Sequence, residues 1–249
     1  MTTAPLFLVD DVDALRPGTE TELDGPEGRH AATVRRIRPG EALVLSDGRG
    51  GLARAEAVAA GKDSLTVRLL DVTRVPAPAV RVTVAQALVK GDRGELAVET
   101  ATEAGADAVL PWKAARCVAR WDDGPRGDKQ LGRWRSTVRE AAKQARRPWQ
   151  PEVGEPVTTK QLAARVGSCA AAFVLHESAT TGLADVTLPD AGEVLLAVGP
   201  EGGVDDHELG LLTGAGAVAV RLGPEVLRAS TAACVALGAL AVRTGRWSS

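Results

Sequence analysis

Residues 192–214, GEVLLAVGPEGGVDDHELGLLTG, decide the architecture of this 249-residue chain. Val194 to Val198 is an apolar run without alternation, the pattern of a strand covered on both faces. It enters Gly199-Pro200-Glu201-Gly202-Gly203 directly. Adjacent glycines let a backbone approach a ligand closely or take a left-handed conformation, although an ordinary tight turn reads the same way. Asp205 and Glu208 have the spacing of a capping box, which predicts a helix over 206–214. A buried strand, a glycine loop and a helix make one step of a parallel α/β sheet, where ligands collect at the carboxyl ends of the strands.

The same grammar extends to both sides. Strands are predicted at 79–88, 106–112, 169–177 and 217–223, with a helix at 94–105 and a last helix at 230–244 whose N-cap would be Ser230. Before residue 75 the pattern is different. EALVLSDGRGG reads as a strand and a turn, SLTVRLLDVTRV alternates as a strand, and LARAEAVAA fits a strand less clearly because of its alanines. A short helix is expected over 30–41, ending at Pro39-Gly40. Val75-Pro76-Ala77-Pro78 is a stiff extended linker. The expected domains are therefore a small β-barrel over 1–75 and an α/β domain over 76–249.

Composition is that of an ordinary globular chain, 45% hydrophobic and 25% charged. Five Trp, two Phe and no Tyr leave little for an aromatic stacking platform. No long uncharged apolar run suggests a membrane span, and the acidic start MTTAPLFLVDDVD lacks the basic region of a signal peptide. Cys117, Cys169 and Cys234 are far apart and odd in number, and His30, His176 and His207 form no ligand pattern. Reduced thiols, a cytoplasmic location and no metal are expected.

The net charge of -2 argues against a nucleic-acid partner until it is resolved by segment. Residues 111–150 carry 11 basic and 4 acidic side chains, whereas 151–215 carry 2 and 10. In the basic stretch Arg135, Arg139 and Lys143 recur every four residues, followed by Arg146 and Arg147. Leu131, Trp134, Val138, Ala141 and Ala145 form the opposite stripe. This predicts an amphipathic helix with a cationic face, either simply solvated or gripping phosphates.

Three loops at strand ends are candidates for chemistry: 175–178, the 199–203 glycine loop, and 222–231. The glycine loop is not GxGxxG and lacks the Lys-Ser/Thr of a phosphate-cradling loop. The third delivers Ser230 and Thr231 to a helix N-terminus, which simple capping would also explain.

Taken together, LLAVGPEGGVDDHEL (195–209), VRLGPEVLRASTAAC (220–234), KGDRGELAVETATEAGA (90–106) and EAAKQARR (140–147) resemble the 16S rRNA (uracil-N3) methyltransferases of the knotted α/β (SPOUT) superfamily. The resemblance spans essentially the whole chain. It implies a SPOUT methyltransferase domain with a trefoil knot, preceded by a PUA-like RNA-binding barrel, in a homodimer. The cofactor implied is S-adenosyl-L-methionine. Carried over by position, its contacts are Leu175, His176, Gly199, Pro200, Glu201, Gly202, Leu222, Gly223, Leu227, Ser230, Thr231 and Ala232. Arg228, beside these loops, is the candidate to stabilise a deprotonated uracil. Arg135, Arg139, Lys143, Arg146 and Arg147 would contact the 16S rRNA of the small ribosomal subunit. Two departures stand out: Ser230 occupies a position where many members have Glu, and Arg146 one where Gly is common. A non-catalytic RNA-binding or ribosome-assembly factor of the same fold, or an enzyme acting on another rRNA base or a ribose 2′-hydroxyl, are the alternatives.

Overall fold

A computed structural model of the chain describes residues 4–247 and divides them into two compact units. The first comprises residues up to Ala77 together with Ala142–Gln150. Its strands are β1 (Leu6–Leu8), β2 (Glu20–Leu23), β3 (Ala42–Ser46), β4 (Gly51–Ala60) and β5 (Leu65–Arg74), in the order β1-β3-β4-β5-β2. All pairings are antiparallel except β1 with β3. Strict alternation explains why the alanine-rich β4 is a strand. Ala53, Ala55 and Ala57 face a core shared with Leu43, Leu45, Leu65, Val67 and Leu69, while Arg54 and Glu56 face out. Two register irregularities, at Arg54/Ala55 and Ala57/Ala59, bend the β4–β5 ribbon.

The expected helix over 30–41 is displaced. Helix α1 (Gly25–Arg29) carries Pro26 in its first turn, where proline is tolerated, and continues as a wide π-helical turn over His30–Val34. Arg36 then takes a left-handed φ of 55° while the Ile37 N–H closes back on the Ala31 carbonyl at 3.0 Å, so the helix stops well before Pro39.

Residues 142–150 are the part of this unit that sequence did not assign to it. Lys143 Nζ lies 2.9 Å from Glu27 Oε1, and both side chains are about nine-tenths buried. Trp149 donates its indole N–H to the Val75 carbonyl at 3.0 Å and packs on Gly50, where a Cβ would come within 2.7 Å of the indole.

The second unit comprises Pro78–Ala141 and Pro151 onward. Its sheet contains β6 (Val80–Ala87), β7 (Ala108–Lys113), β8 (Glu152–Val153), β9 (Val157–Thr158), β10 (Ala171–Leu175), β11 (Gly192–Val198) and β12 (Val218–Val220). Every pairing is parallel, in the order β12-β10-β11-β6-β7-β8, with β9 also on β7. Helices α2 (Arg93–Glu103), α3 (Pro125–Gln144), α4 (Thr159–Val166), α5 (Asp206–Gly214) and α6 (Ala229–Arg243) connect or cover these strands. Val194 and Leu196 face one core with Val82, Val84 and the inner side of α6, whereas Leu195 and Ala197 face the other with Trp112, Leu162 and Leu212. The unbroken apolar run in β11 is therefore buried on both sides, as its sequence predicts.

The predicted α5 boundaries match, but the cap differs. Asp205 accepts from the His207 N–H, while Glu208 turns inward to accept from the Ala115 N–H at 2.9 Å and from the Thr159 hydroxyl. Thr159 in turn accepts from Trp112 Nε1 at 3.0 Å. Glu208 thus ties α5 to α4 and β7 instead of closing a capping box. At α6 the N-cap is Arg228, two residues earlier than expected, so Ser230 lies inside the first turn and is buried. Leu131, Trp134, Val138 and Ala141 bury the apolar stripe of α3, whereas Ala145 lies past the helix end and is exposed.

Candidate functional site

The carboxyl ends of β10, β11 and β12 meet where the strand order reverses, the place where open parallel sheets bind ligands. There they leave a cavity of about 320 Å³. Leu175 and His176 leave β10, Val198 to Glu201 leave β11, and Val220 to Gly223 leave β12. The 225–230 loop and the start of α6 close it. Ten of the twelve positions singled out by resemblance as contacts line this cavity: Leu175, His176, Gly199, Pro200, Glu201, Leu222, Gly223, Leu227, Ser230 and Ala232. Arg228 lines it as well.

Gly202 and Thr231 do not. The Gly202 carbonyl accepts from Arg116 Nη1 at 3.1 Å, and the exposed Thr231 hydroxyl returns to the Arg228 carbonyl at 3.2 Å. Each of these polar groups thus has a partner within the protein. Conversely, Arg93, Glu177, Arg221 and Glu225 enter the cavity wall without having been singled out. Arg93 was legible only as part of the KGDR stretch, because α2 begins at it and the fold carries that helix start to the β11 loop.

The glycine loop is built by sterics at one end and backbone conformation at the other. A Cβ at Gly199 would sit 2.7 Å from Val204 Cγ2, so no side chain fits between β11 and the buried Val204. Gly203 has φ +74°, which only glycine adopts without strain, and its N–H closes the turn on the Pro200 carbonyl at 2.9 Å. Arg116 bonds the Gly202 carbonyl and reaches Asp205 at 3.5 Å, pinning the loop from outside.

The lining fits a cofactor with a flat apolar ring system and a charged tail. Leu175, Val198, Val220, Leu222 and Leu227 supply apolar walls. Gly199 leaves open a cradle that a Cβ would fill. The first turn of α6 at Ala229 and Ser230 presents N–H groups without intrahelical partners, suited to a carboxylate or ring acceptor. Glu177, Glu201 and Glu225 place carboxylates around the same space. His176 accepts the Ser178 N–H on Nδ1 at 3.2 Å, which fixes its ring in the turn after β10.

Cys117 and Cys169 are not built as nucleophiles. Burial pushes the Cys117 thiol up, and burial with Glu193 beside it pushes Cys169 to about 11. Among the described residues no group of three His, Cys, Asp or Glu is arranged to hold a metal ion, and no helix is long and apolar enough to cross a membrane.

The cationic stretch is less uniform than its periodicity suggests. Arg135 is exposed and paired with the exposed Glu155 at 2.7 Å, and Arg139 and Arg146 are exposed. Arg147 is partly buried. Lys143 does not share an open face, because its ammonium is committed to Glu27.

An α/β unit with a loop-built cavity at the strand reversal, joined to a small curled sheet, defines a class. Residues 76–241 match the family model of an RNA methyltransferase domain and residues 23–70 that of an RNA methyltransferase PUA domain. The chain belongs to the RNA methyltransferase family. It is 55% identical over 248 residues to the ribosomal RNA small subunit methyltransferase E of Mycobacterium bovis, covering 98% of this chain and 94% of that one. It is 31% identical to the protein of that name from Bacillus subtilis, over 89% and 90% of the two chains. Among solved structures, a ribosomal RNA small subunit methyltransferase E from Neisseria gonorrhoeae, bound to S-adenosyl methionine, superposes with a TM-score of 0.86 at 27% identity over 97% and 98% of the chains. A methyltransferase from Legionella pneumophila with bound cofactor superposes with a TM-score of 0.85 at 29% identity, over 97% and 98%.

Proposed function

We propose that this protein is an S-adenosylmethionine-dependent methyltransferase acting on N3 of a uridine in 16S rRNA of the small ribosomal subunit. The observation that carries the reading is the cavity at the carboxyl ends of β10, β11 and β12, with its Gly199 cradle and the open first turn of α6. Full-length likeness to small-subunit rRNA methyltransferases, one solved with S-adenosyl methionine, supports the cofactor and the RNA class. When bound there, the cofactor supplies a methyl group already activated on a sulfonium.

The chain's own residues then hold the uracil in line and manage its charge. Losing the N3 proton spreads negative charge over the uracil carbonyl oxygens. Arg228 lines the cavity, is exposed, and makes no side-chain ion pair or hydrogen bond among the described residues. Its guanidinium is therefore available to that charge. Ser230 replaces the Glu of many relatives in the buried first turn of α6, so no carboxylate acts from that position here.

The cationic stretch supplies the RNA grip in this reading, with Arg135 and Arg139 on the part of α3 that belongs to the second unit and Arg146 and Arg147 in the first. A trefoil knot is supported by the strand order: β11 is laid between β6 and β10 after both, and the chain returns beyond β10 as β12. A homodimer is supported by Val235 and Val242, exposed seven residues apart on α6, and by Leu96 exposed on α2, which packs on α6. We place the protein in the cytoplasm, with a domain boundary near Val75.

Mass mapping of 16S rRNA from cells lacking the gene tests the reading. One uridine should lose one methyl group and regain it when this protein is supplied. Restoration at a ribose or at another base would replace the N3 assignment, and no methyl restored would refute the enzyme.

A further inference from the structure

We propose that a second, shallower cleft beside the cavity, bounded by Lys90, Arg93, Val118 and Glu201, holds the phosphates of the target nucleotide while its base enters the cavity. This rests on the methyltransferase reading and specifies where its substrate sits. The cleft has about 410 Å³ of space and shares Arg93 and Glu201 with the candidate cofactor cavity. A group held in it is therefore next to the cavity.

Its chemistry suits a nucleotide. Gly91 has φ +67°, and this turn brings Lys90 and the first residue of α2, Arg93, to one cleft. Lys90 is exposed and makes no ion pair among the described residues. Arg93 reaches Glu201 only at 3.8 Å, with both side chains substantially exposed, a pair weak enough to exchange for a phosphate. Val118, 69% exposed, lines the same cleft from the loop whose Arg116 is bonded to Gly202. An isolated apolar side chain beside two cations offers a flank for a base.

No Phe or Trp lines the cleft or the cavity. Trp112, Trp121 and Trp134 are buried, the last two packed edge to face at 4.8 Å. A base drawn out of its stack toward the cavity therefore passes an aliphatic side chain, with its backbone held by charge.

The test combines steady-state methylation of small ribosomal subunits from cells lacking the activity, salt-dependent filter binding of their 16S rRNA, and calorimetry with S-adenosylmethionine. Lys90→Gln should raise KM for the subunit about tenfold, leave kcat within about twofold, and lower the slope of log affinity against log salt by about 0.7. The cofactor Kd should not move, and Lys90→Arg should restore KM. Val118→Asp should raise KM without changing the fold, since the side chain is in solvent. An unchanged KM and salt slope for Lys90→Gln would overturn the cleft. So would a cofactor Kd that rises with KM, because the cleft would then belong to the cofactor. Filter binding reads the cleft even if no turnover is found, and absence of turnover in the unaltered protein counts against the proposed reaction alone.

Discussion

Replacing Gly199 with Ala tests whether the glycine loop is open for steric reasons. The added Cβ would lie 2.7 Å from Val204 Cγ2 and 3.3 Å from the Val204 nitrogen. Ordinary contact begins at 3.4 Å, so one side must retreat by about 0.7 Å. Val204 cannot yield freely, because it is 3% exposed in the core formed by Leu195, Ala197 and Leu212. Overpacking of this kind costs about 1–3 kcal/mol. In a chain of this size that lowers the melting temperature by roughly 2–4 °C per kcal/mol. If β11 yields instead, the cavity narrows, and a loss of about 1.4 kcal/mol in cofactor binding is a tenfold rise in Kd. Melting curves and calorimetry with S-adenosylmethionine should both register the change.

A double-mutant cycle sharpens it. Val204→Ala alone should destabilise by leaving a cavity, but Gly199→Ala combined with Val204→Ala should cost less than the two added, because the deleted methyl is the one struck. Gly202→Ala is the contrast, since its Cβ would come no closer than 3.3 Å to the Arg116 side chain and 3.7 Å to the Arg116 carbonyl oxygen. Unchanged melting and unchanged affinity in Gly199→Ala, or strict additivity in the cycle, would refute the steric account.

Other perturbations probe different parts of the molecule. Lys143→Ala should cost up to about 3–5 kcal/mol in urea denaturation, because it takes the ammonium from the buried Glu27 carboxylate, which keeps other partners such as the Leu8 N–H at 3.2 Å; a loss under about 1 kcal/mol would mean that those partners and water replace the ammonium. Arg228→Ala should keep cofactor affinity and lose most turnover, so full activity would remove Arg228 from the chemistry. Arg36→Gly should stabilise by about 1 kcal/mol by relieving the left-handed backbone, measured by the same denaturation; destabilisation would show that the arginine side chain outweighs that strain. Cys169, raised to about 11, stays a thiol through neutral and mildly alkaline pH. Its alkylation in the folded protein should lag that of a free thiol below about pH 10 and rise as pH climbs through 11, and rapid labelling at pH 8 would contradict this.

What was legible in the sequence followed the physics of local pattern. The doubly buried β11 shows as an unbroken apolar run, α5 as a capped helix with the observed bounds, and β4 as alternation once its alanines are read as inward-facing. The amphipathic stripe of α3 is correct from Leu131 to Ala141. Reading failed where a side chain's partner is distant in the chain. Glu208 has capping spacing yet serves Ala115 and Thr159, and Lys143 sits on a cationic period yet serves Glu27, 116 positions away. The short strands β1, β2, β8 and β9 exist through pairing and carry too few residues to show a period.

By itself the sequence determined the class of fold and the three strand-end loops that contribute to the cavity, because burial periodicity and glycine placement are local constraints on the backbone. Only the tertiary structure decided which loop residues face one cavity. It sent Gly202 toward Arg116 and Thr231 back to its own helix turn, and brought Arg93 from α2 to the wall beside Glu201. The order of a parallel sheet is not written in the order of its strands. With β11 set between β6 and β10, residues more than a hundred positions apart line one site, and that arrangement arises from packing both faces of the sheet at once.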